Sequence, residues 1–204
     1  MLLGIPVYDG VNMLDVVGPA EIFYWAGRQS DLEVKLLSAD GKPRTSINNI
    51  TFEAHASFAD HPALDVLWVP GGSTDALKRI MSNPASEYLA YLKRTAADAQ
   101  WVCSVCEGAL IAAQAGILDG HDVTTHWAFV ECLESYPEVR LAQGNPRYHV
   151  SGNRLTGGGI SAGIDEALKL VEILFGADVA ERVQVTTEYF PDPPVMGKLP
   201  TPGP

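Results

Sequence analysis

Short apolar runs alternate with longer segments of helical periodicity along nearly the whole chain, and this alternation limits the folds open to it. Two of the runs, in LDVLWVPGG at 64–72 and QWVCSV at 100–105, have no charged residue in their apolar part. Such runs are typical of strands that are covered on both faces, as in parallel sheets. The 204 residues therefore predict one α/β domain, a three-layer α/β/α sandwich with a mostly parallel central sheet.

The other predicted elements follow the same alternation. GPAEIFYWAG at 18–27 is predicted to form a helix, with Pro19 near its first turn and Gly27 at its end. Further elements are predicted in this order: a hairpin within SINNITFEAHASF at 46–58, a hairpin around Gly152–Asn153, and a helix over SAGIDEALKLVEILFG at 161–176. We place one domain at 1–190 and an extended, proline-rich tail at 191–204.

The composition of the chain argues against nucleic acid and membranes as partners. The net charge of −11, without a Lys/Arg-rich run, argues against nucleic acid. No segment approaches the roughly 18 apolar residues that span a bilayer, and the start of the chain lacks the basic segment of a signal peptide. The three cysteines form no pairing framework, which is typical of a reducing compartment. We expect a cytoplasmic protein that binds a small molecule and has neither a membrane nor a nucleic-acid partner.

Cys106 stands where the run QWVCSV meets Glu107 and a helical segment of small residues. A strand, a nucleophile and a helix in this order have the form of a nucleophile elbow, with Ser104 and Gly108 as small neighbours. The first turn of the following helix is expected to favour a thiolate. The alternatives are a buried, inert cysteine and a redox pair with Cys103, which lies inside the predicted strand. The position favours a reactive Cys106, because open α/β sheets place their sites at such turns.

Several segments together resemble one known family: IPVYDGVNMLDVVGPAEIF, VPGG, SVCEGALIAAQAGILDG, TTHWAF and LTGGGISAGIDEAL. They are similar to the ThiJ/PfpI superfamily, which is related to the class I glutamine amidotransferases, and within it to the isonitrile hydratase branch. The resemblance covers nearly the whole chain. It implies a flavodoxin-like fold and a homodimer.

In that branch a cysteine works with an acidic residue of an LD-x-x-GP segment, and Cys106 and Asp15 hold these positions here. The resemblance implies that the cysteine attacks the terminal carbon of an isonitrile. The resulting thioimidate is converted by water to an N-substituted formamide. No metal and no other cofactor is expected. Two alternatives stay open: the ligand-sensing domain of an AraC-type regulator, and a redox protein whose Cys106 is oxidised.

Charge sets a condition on Asp15. Within about 4 Å of a thiolate, an ionised carboxylate would oppose it by ~4 kcal/mol at an effective dielectric near 20. Asp15 is therefore expected to be protonated, because its apolar neighbours Leu14, Val16 and Val17 raise its pKa by desolvation. The alternative is that Asp15 only caps a helix that begins near Pro19.

Glu107 departs from the resemblance, because hydratases of this branch usually have threonine after the nucleophile. Three outcomes are open: Glu107 points to solvent or to a basic partner, stays protonated as a second acid, or redirects the site to another substrate. In each case its N–H is available to help hold an anion. An acidic residue in the first turn of a helix also needs no catalytic role, because the helix dipole favours it there.

Glycine-rich segments supply further candidates. Gly71 and Gly72 allow their N–H groups to approach a ligand closely. By resemblance, Gly72 has an oxyanion-hole-like role and the backbone of Ile160 contacts the sulfur. Gly158 belongs to a glycine run that allows a close approach to the site. The G-x-G-x-x-A spacing from Gly157 to Ala162 is rejected as a dinucleotide fingerprint, because no early βαβ unit surrounds it.

The segment TTHW and the start of the last long helix complete the predictions. His126 and Trp127 are predicted to line the pocket, without a catalytic role for His126. Thr125 and Ser161 are predicted to cap helices. The pair Asp165-Glu166 is predicted to complement the positive end of a helix dipole.

Overall fold

The computed structural model describes residues 1–200 of the chain. Its strands are β1 (Leu2–Pro6), β2 (Glu33–Ser38), β3 (Arg44–Thr45), β4 (Thr51–Phe52), β5 (Ala56–Ser57), β6 (Val66–Val69), β7 (Trp101–Val105), β8 (Asp122–Val123), β9 (Arg140–Leu141), β10 (Tyr148–Ser151) and β11 (Arg154–Gly157). Its helices are α1 (Met13–Gly27), α2 (Thr74–Met81), α3 (Glu87–Ala96), α4 (Gly108–Gln114), α5 (Val130–Leu133), α6 (Ala162–Phe175) and α7 (Ala177–Thr186), with a 3-10 turn at Trp127–Phe129.

Seven strands form the main sheet, in the order β10-β11-β7-β6-β1-β2-β5. Neighbours in it are parallel, except for the antiparallel hairpin of β10 and β11 at one edge. Helices α1, α6 and α7 pack together in one group and α2 to α5 in another, which gives the sheet a helical layer on each face. The predicted α/β/α sandwich is confirmed, as are the hairpin around Gly152–Asn153 and the helix within 161–176.

The core lies on both faces of the central strands. All four residues of β6 are buried, and so are the last four residues of β7. Trp68 of β6 packs edge-to-face against Phe23 of α1, with ring centroids 5.3 Å apart. Successive residues of a strand point to opposite faces, so a strand covered by helices on both faces must be apolar throughout.

Helix α1 begins earlier than predicted. It starts at Met13 and carries Pro19 in its interior. Proline has no N–H, so the helix cannot bond the carbonyl of Asp15, four residues earlier. Trp68 donates its indole N–H to that carbonyl at 3.1 Å, which replaces the missing bond. The alternative in which Asp15 caps a helix beginning near Pro19 is therefore wrong, and Asp15 lies inside the first turn.

The region 46–58 is only partly the predicted hairpin. β3 lies just before this region and pairs antiparallel with β4, whereas β5 joins the main sheet parallel to β2. The alternation of apolar and polar residues is the same in a hairpin and in a sheet-edge strand, so it does not distinguish the two.

Residues 1–200 contain no helix with both the length and the apolar character that crossing a bilayer requires. Residues 191–200 form neither helix nor strand. The remainder of the predicted tail, 201–204, lies outside the described residues, and the domain boundary at 190 stays a prediction.

Candidate active site

Four neighbouring parallel strands end at one edge of the sheet, and the segments that follow them carry the candidate residues. These are Asn12 and Asp15 after β1, Gly71 after β6, Cys106 and Glu107 after β7, and Gly158 and Ile160 after β11. The chain continues from β1 to β2 on one side and returns to β6 on the other. Open α/β sheets bind ligands at this reversal of strand order.

Cys106 forms a strained turn between β7 and α4. Its φ is +58°, a left-handed conformation that costs a residue with a side chain about 1–3 kcal/mol. Its N–H donates to the carbonyls of Gly157 and Gly158, at 3.2 and 3.0 Å. Thr125 Oγ1 donates to the Cys106 carbonyl at 2.8 Å. The surrounding segments therefore hold the turn in its strained conformation.

The prediction that Thr125 caps a helix is wrong, because its hydroxyl binds Cys106. The turn at 127–129 is capped by His126, whose Nδ1 accepts from the N–H of Ala128 at 3.1 Å. A backbone N–H only donates, so Nδ1 is the acceptor in this bond. Within residues 1–200 no hydrogen bond joins His126 to Cys106. His126 is therefore not oriented as a base for the sulfur.

The thiol of Cys106 lies in a small, buried acidic cluster. One ligand atom from each of Asp15, Cys106 and Glu107 lies within 4.8 Å of the others. Asp15 and Cys106 are fully buried, and Glu107 is 8% exposed. Of the ion pairs among residues 1–200, none includes Asp15 or Glu107. The outcome in which Glu107 points to solvent or to a basic partner is wrong.

Asn12 faces all three members of the cluster. Its Nδ2 donates to Glu107 Oε2 at 3.2 Å, to Asp15 Oδ2 at 3.5 Å and to Cys106 Sγ at 3.8 Å. Thiolate and carboxylates are also ligands for divalent cations, although the sequence predicted no metal site. The Asn12 amide nitrogen donates hydrogen bonds to the same three ligand atoms that a cation would need.

Gly71, and not Gly72, contacts the cluster. The N–H of Gly71 donates to Asp15 Oδ2 at 2.9 Å. A side chain at Gly71 would meet Glu107 Oε2 at 2.5 Å, so only glycine allows the carboxylate this close to the backbone. Gly72 instead pairs with Val11 in an isolated bridge. The oxyanion role expected of Gly72 stays a prediction without a contact to the cluster.

The predictions for Gly158 and Ile160, which lie in the same glycine-rich segment, have different outcomes. The N–H of Gly158 donates to the carbonyl of Arg147 at 2.9 Å, so it is not free to bind an oxyanion. Ile160 has a left-handed φ of +31°, and its backbone lies close enough to the sulfur of Cys106 to lower the pKa of that thiol. The sulfur therefore has the Asn12 amide as a donor and the Ile160 backbone beside it.

The surroundings of the sulfur disfavour its ionisation. Burial raises the pKa of Cys106, and the charges of Asp15 and Glu107 raise it further, against the opposing effect of the Ile160 backbone. Burial also raises the pKa of Asp15 well above its ordinary value, with Glu107 adding to the effect. The direction of this shift favours the protonated form of Asp15, the form that its apolar neighbours in the sequence suggested. Burial and the two carboxyl groups oppose the expected effect of the helix N-terminus on the thiolate, so the ionised form of Cys106 stays a prediction.

At the start of α6, the predictions for Ser161 and Glu166 are wrong, whereas Asp165 lies in the first turn as predicted. The hydroxyl of Ser161 caps no helix and accepts from Arg147 Nη2 at 3.2 Å, while Arg147 also pairs with Asp165. Glu166 is fully buried, and neither of its oxygens has a well-aligned hydrogen-bond partner within residues 1–200, although the backbone of Ser104 lies close enough to lower its pKa. Burial raises the pKa of Glu166 well above its ordinary value, and the charge of Asp15 adds to the shift. Glu166 is thus a third buried carboxyl group near the cluster.

A cavity of about 440 Å³ adjoins the cluster. Ile160, whose backbone lies close to the sulfur, also lines this cavity, and His126 and Trp127 line it as well. Its other lining residues are Leu14, Asn145, Pro146, Arg147, Gly158, Gly159, Ser161, Ala162 and Leu199. Cys106 itself is fully buried and does not line the cavity.

Asn12 and the burial of Glu166 were not predicted from the sequence, whereas the close approach of the Gly71 N–H to the site was. A signal existed for Asn12, since it lies in a loop that follows an apolar run at the carboxyl edge of the sheet. No signal distinguished Glu166 from Asp165 beside it, because both are acidic residues in the first turns of one helix.

Known proteins resemble this chain over most of its length. A model of the DJ-1/PfpI family matches residues 3–173. Isonitrile hydratase of Pseudomonas putida is 36% identical over 192 residues, which cover 94% of this chain and 80% of that protein. The HTH-type transcriptional regulator GbdR of Pseudomonas aeruginosa is 26% identical over 89% of this chain, but this is only 48% of the regulator. A crystal structure of a ThiJ/PfpI family protein from Pseudomonas syringae superposes with a TM-score of 0.86 at 32% identity, covering 95% of this chain and 77% of that one.

Proposed function

The chain belongs to the DJ-1/PfpI family, and we propose that it is a cysteine-dependent enzyme that hydrates an isonitrile to an N-substituted formamide without a cofactor. The observation that carries the proposal is the buried thiol of Cys106 beside two carboxyl groups. Hydration of R–N≡C transfers several protons and involves no net oxidation or reduction. It therefore needs a soft nucleophile together with acids and bases. Similarity to isonitrile hydratase over most of both chains supports the same conclusion. We further propose that the enzyme is a cytoplasmic homodimer.

The first half of the proposed reaction joins the sulfur to the substrate. Cys106 Sγ attacks the terminal carbon and forms the S–C bond, while the thiol proton passes to Glu107. Asp15, protonated because burial raises its pKa, donates its proton to the same carbon. The product is the thioimidate S–CH=N–R, with Asp15 now ionised and Glu107 protonated.

The second half releases the product. Water attacks the thioimidate carbon as Asp15 takes a proton from it and Glu107 gives a proton to nitrogen. The adduct S–CH(OH)–NH–R then breaks its C–S bond, and its hydroxyl proton returns to the sulfur. The formamide R–NH–CHO leaves, and all three groups regain their starting protons.

Phenyl isonitrile tests the proposal directly. We expect the protein to form N-phenylformamide in many turnovers, measured by liquid chromatography with mass detection, and a quenched reaction to show an adduct of protein plus one isonitrile on Cys106. The Cys132→Ser variant is the matched control, because Cys132 is exposed and lies outside the cluster, and it should turn over at the wild-type rate. Folded protein that forms no product between pH 5 and pH 9 contradicts the proposal.

Regulator relatives give a second candidate, a ligand-sensing domain, since GbdR matches 89% of this chain. Binding of the isonitrile in the same cavity without turnover would favour it. The redox alternative has less support, because oxidation-sensing cysteines are exposed thiolates. Cys106 is buried, and its surroundings raise its pKa.

Trp127 provides a test of the cavity as the substrate site. Its ring lines the cavity, so Trp127→Ala is expected to raise KM for phenyl isonitrile about tenfold, the effect of losing roughly one aromatic contact. KM for methyl isonitrile, which has no ring, should change much less. Phe190→Ala is the control, because Phe190 is exposed and does not line the cavity. Equal changes for both substrates would place the ring elsewhere.

A further inference from the structure

Asn12 occupies a position at which its side chain normally stabilises a helix. It is the residue before α1, and its φ of −68° and ψ of 125° are those of an N-cap. Asparagine is among the strongest N-capping residues, because its side-chain oxygen accepts from the first free N–H groups of the helix. Asn12 makes no such bond. Its amide instead points to the cluster, so the side chain gives up a local stabilising contact for a contact in the site.

A neutral hydrogen-bond donor beside the cluster can stabilise negative charge on any of its three members. Asp15, Cys106 and Glu107 all become negative on ionising, and their ligand atoms lie within 4.8 Å of one another. Among the described residues, no cationic side chain hydrogen-bonds to any of the three. Asn12 Nδ2 has two hydrogens and faces three acceptors, so its bonds change partner as a proton moves within the cluster.

We propose that Asn12 is a positioning residue that keeps the carboxyl groups of Asp15 and Glu107 beside Cys106 Sγ and stabilises the negative charge as it moves between sulfur and carboxylates. A donor aimed at a developing charge in a dry site is worth about 10²-fold in rate. The prediction for turnover rests on the proposed function. The prediction for the reactivity of the sulfur stands without that function.

Asn12→Ser separates the cap from the site. Serine caps helices about as well as asparagine but is too short to bring donors to all three acceptors, so the midpoint of thermal unfolding should stay the same or rise. Alkylation of Cys106 by iodoacetamide forms an S–C bond and releases iodide and a proton. In a Cys132→Ser background, followed by intact mass, we expect this alkylation to slow about 10²-fold. With phenyl isonitrile, kcat should fall by a similar factor while KM changes little.

The outcomes distinguish the two proposals. Asn48→Ser, at an exposed asparagine, is the matched control and should leave the alkylation rate unchanged. Wild-type alkylation and kcat in Asn12→Ser overturn the inference. Slowed alkylation in a protein that does not hydrate isonitriles leaves the inference standing and removes the proposed function, whereas a wild-type Cys106 that is never alkylated contradicts both. If Asn12→Ser does not fold, Asn12→Thr, which is also a capping residue too short to reach all three acceptors, is subject to the same criteria.

Discussion

Asp15→Asn is expected to lower kcat for the hydration of phenyl isonitrile about a thousandfold, while KM changes little. Asparagine has nearly the shape of the acid, and its side-chain oxygen can still accept from the N–H of Gly71. It cannot, however, protonate the isonitrile carbon or take a proton from water. The measurement is steady-state formamide production, with thermal unfolding recorded for each variant.

Comparison with Cys106→Ala shows which step fails. Without the sulfur, no adduct forms, and product should not exceed the uncatalysed hydration. In Asp15→Asn the sulfur is present, so slow formation of the adduct should still appear by mass. Asp75→Asn is the matched control, because Asp75 also lies in the first turn of a helix but is exposed. Turnover by Asp15→Asn within tenfold of wild type would assign the acid role to Glu107 instead.

The pH dependence of kcat/KM is expected to follow the titration of Asp15. Asp15 acts first as an acid, and burial raises its pKa well above the ordinary value. The fraction of protonated Asp15 therefore stays high up to that raised pKa and falls as the pH increases through it. The alkaline limb of kcat/KM reports this loss, and Asp15→Asn should lack it.

Much of the fold could be predicted from the sequence because its signals are local. The apolar runs that became β6 and β7 identify buried strands by themselves. The turn at Cys106 was visible for a similar reason, since it needs a glycine two residues later, at Gly108. A side chain there would collide with the carbonyl of Val69.

The features that could not be predicted depend on contacts between distant parts of the chain. Pro19 normally marks the start of a helix, and only the indole of Trp68 allows α1 to continue through it. Asn12 follows the same pattern, because its neighbours in sequence suggest a cap whereas two of its three partners, Cys106 and Glu107, lie 94 and 95 positions away. Side-chain direction at such positions is set by packing and not by local propensity.

The burial of Glu166 is expected to make the free energy of unfolding strongly dependent on pH. Its side chain is fully buried with no well-aligned partner for either oxygen among the described residues, and burial raises its pKa well above the ordinary value. The folded protein therefore holds a proton on Glu166 that the unfolded chain releases above about pH 4.3. Between these two pKa values, folding loses about 1.4 kcal/mol of stability for each unit by which the pH rises.

Glu166→Gln removes this titration without changing the shape of the side chain. We expect the variant to be more stable than wild type at pH 8, with an advantage that shrinks on lowering the pH and is lost near the ordinary pKa of glutamate. Glu166→Met also removes the buried polar atoms, so it should gain about 1–3 kcal/mol even at low pH, or several degrees in Tm. Urea unfolding from pH 4 to pH 8 measures both effects.

Glu172→Gln is the control, because Glu172 lies on the same helix and pairs with Lys169 at the surface. It should change stability little at any pH. A stability difference between wild type and Glu166→Gln that does not vary with pH would show that Glu166 keeps the same charge in the folded and unfolded protein. Glu166 would then be ionised in the folded protein at neutral pH, and its buried negative charge would add to the charge balance around Asp15.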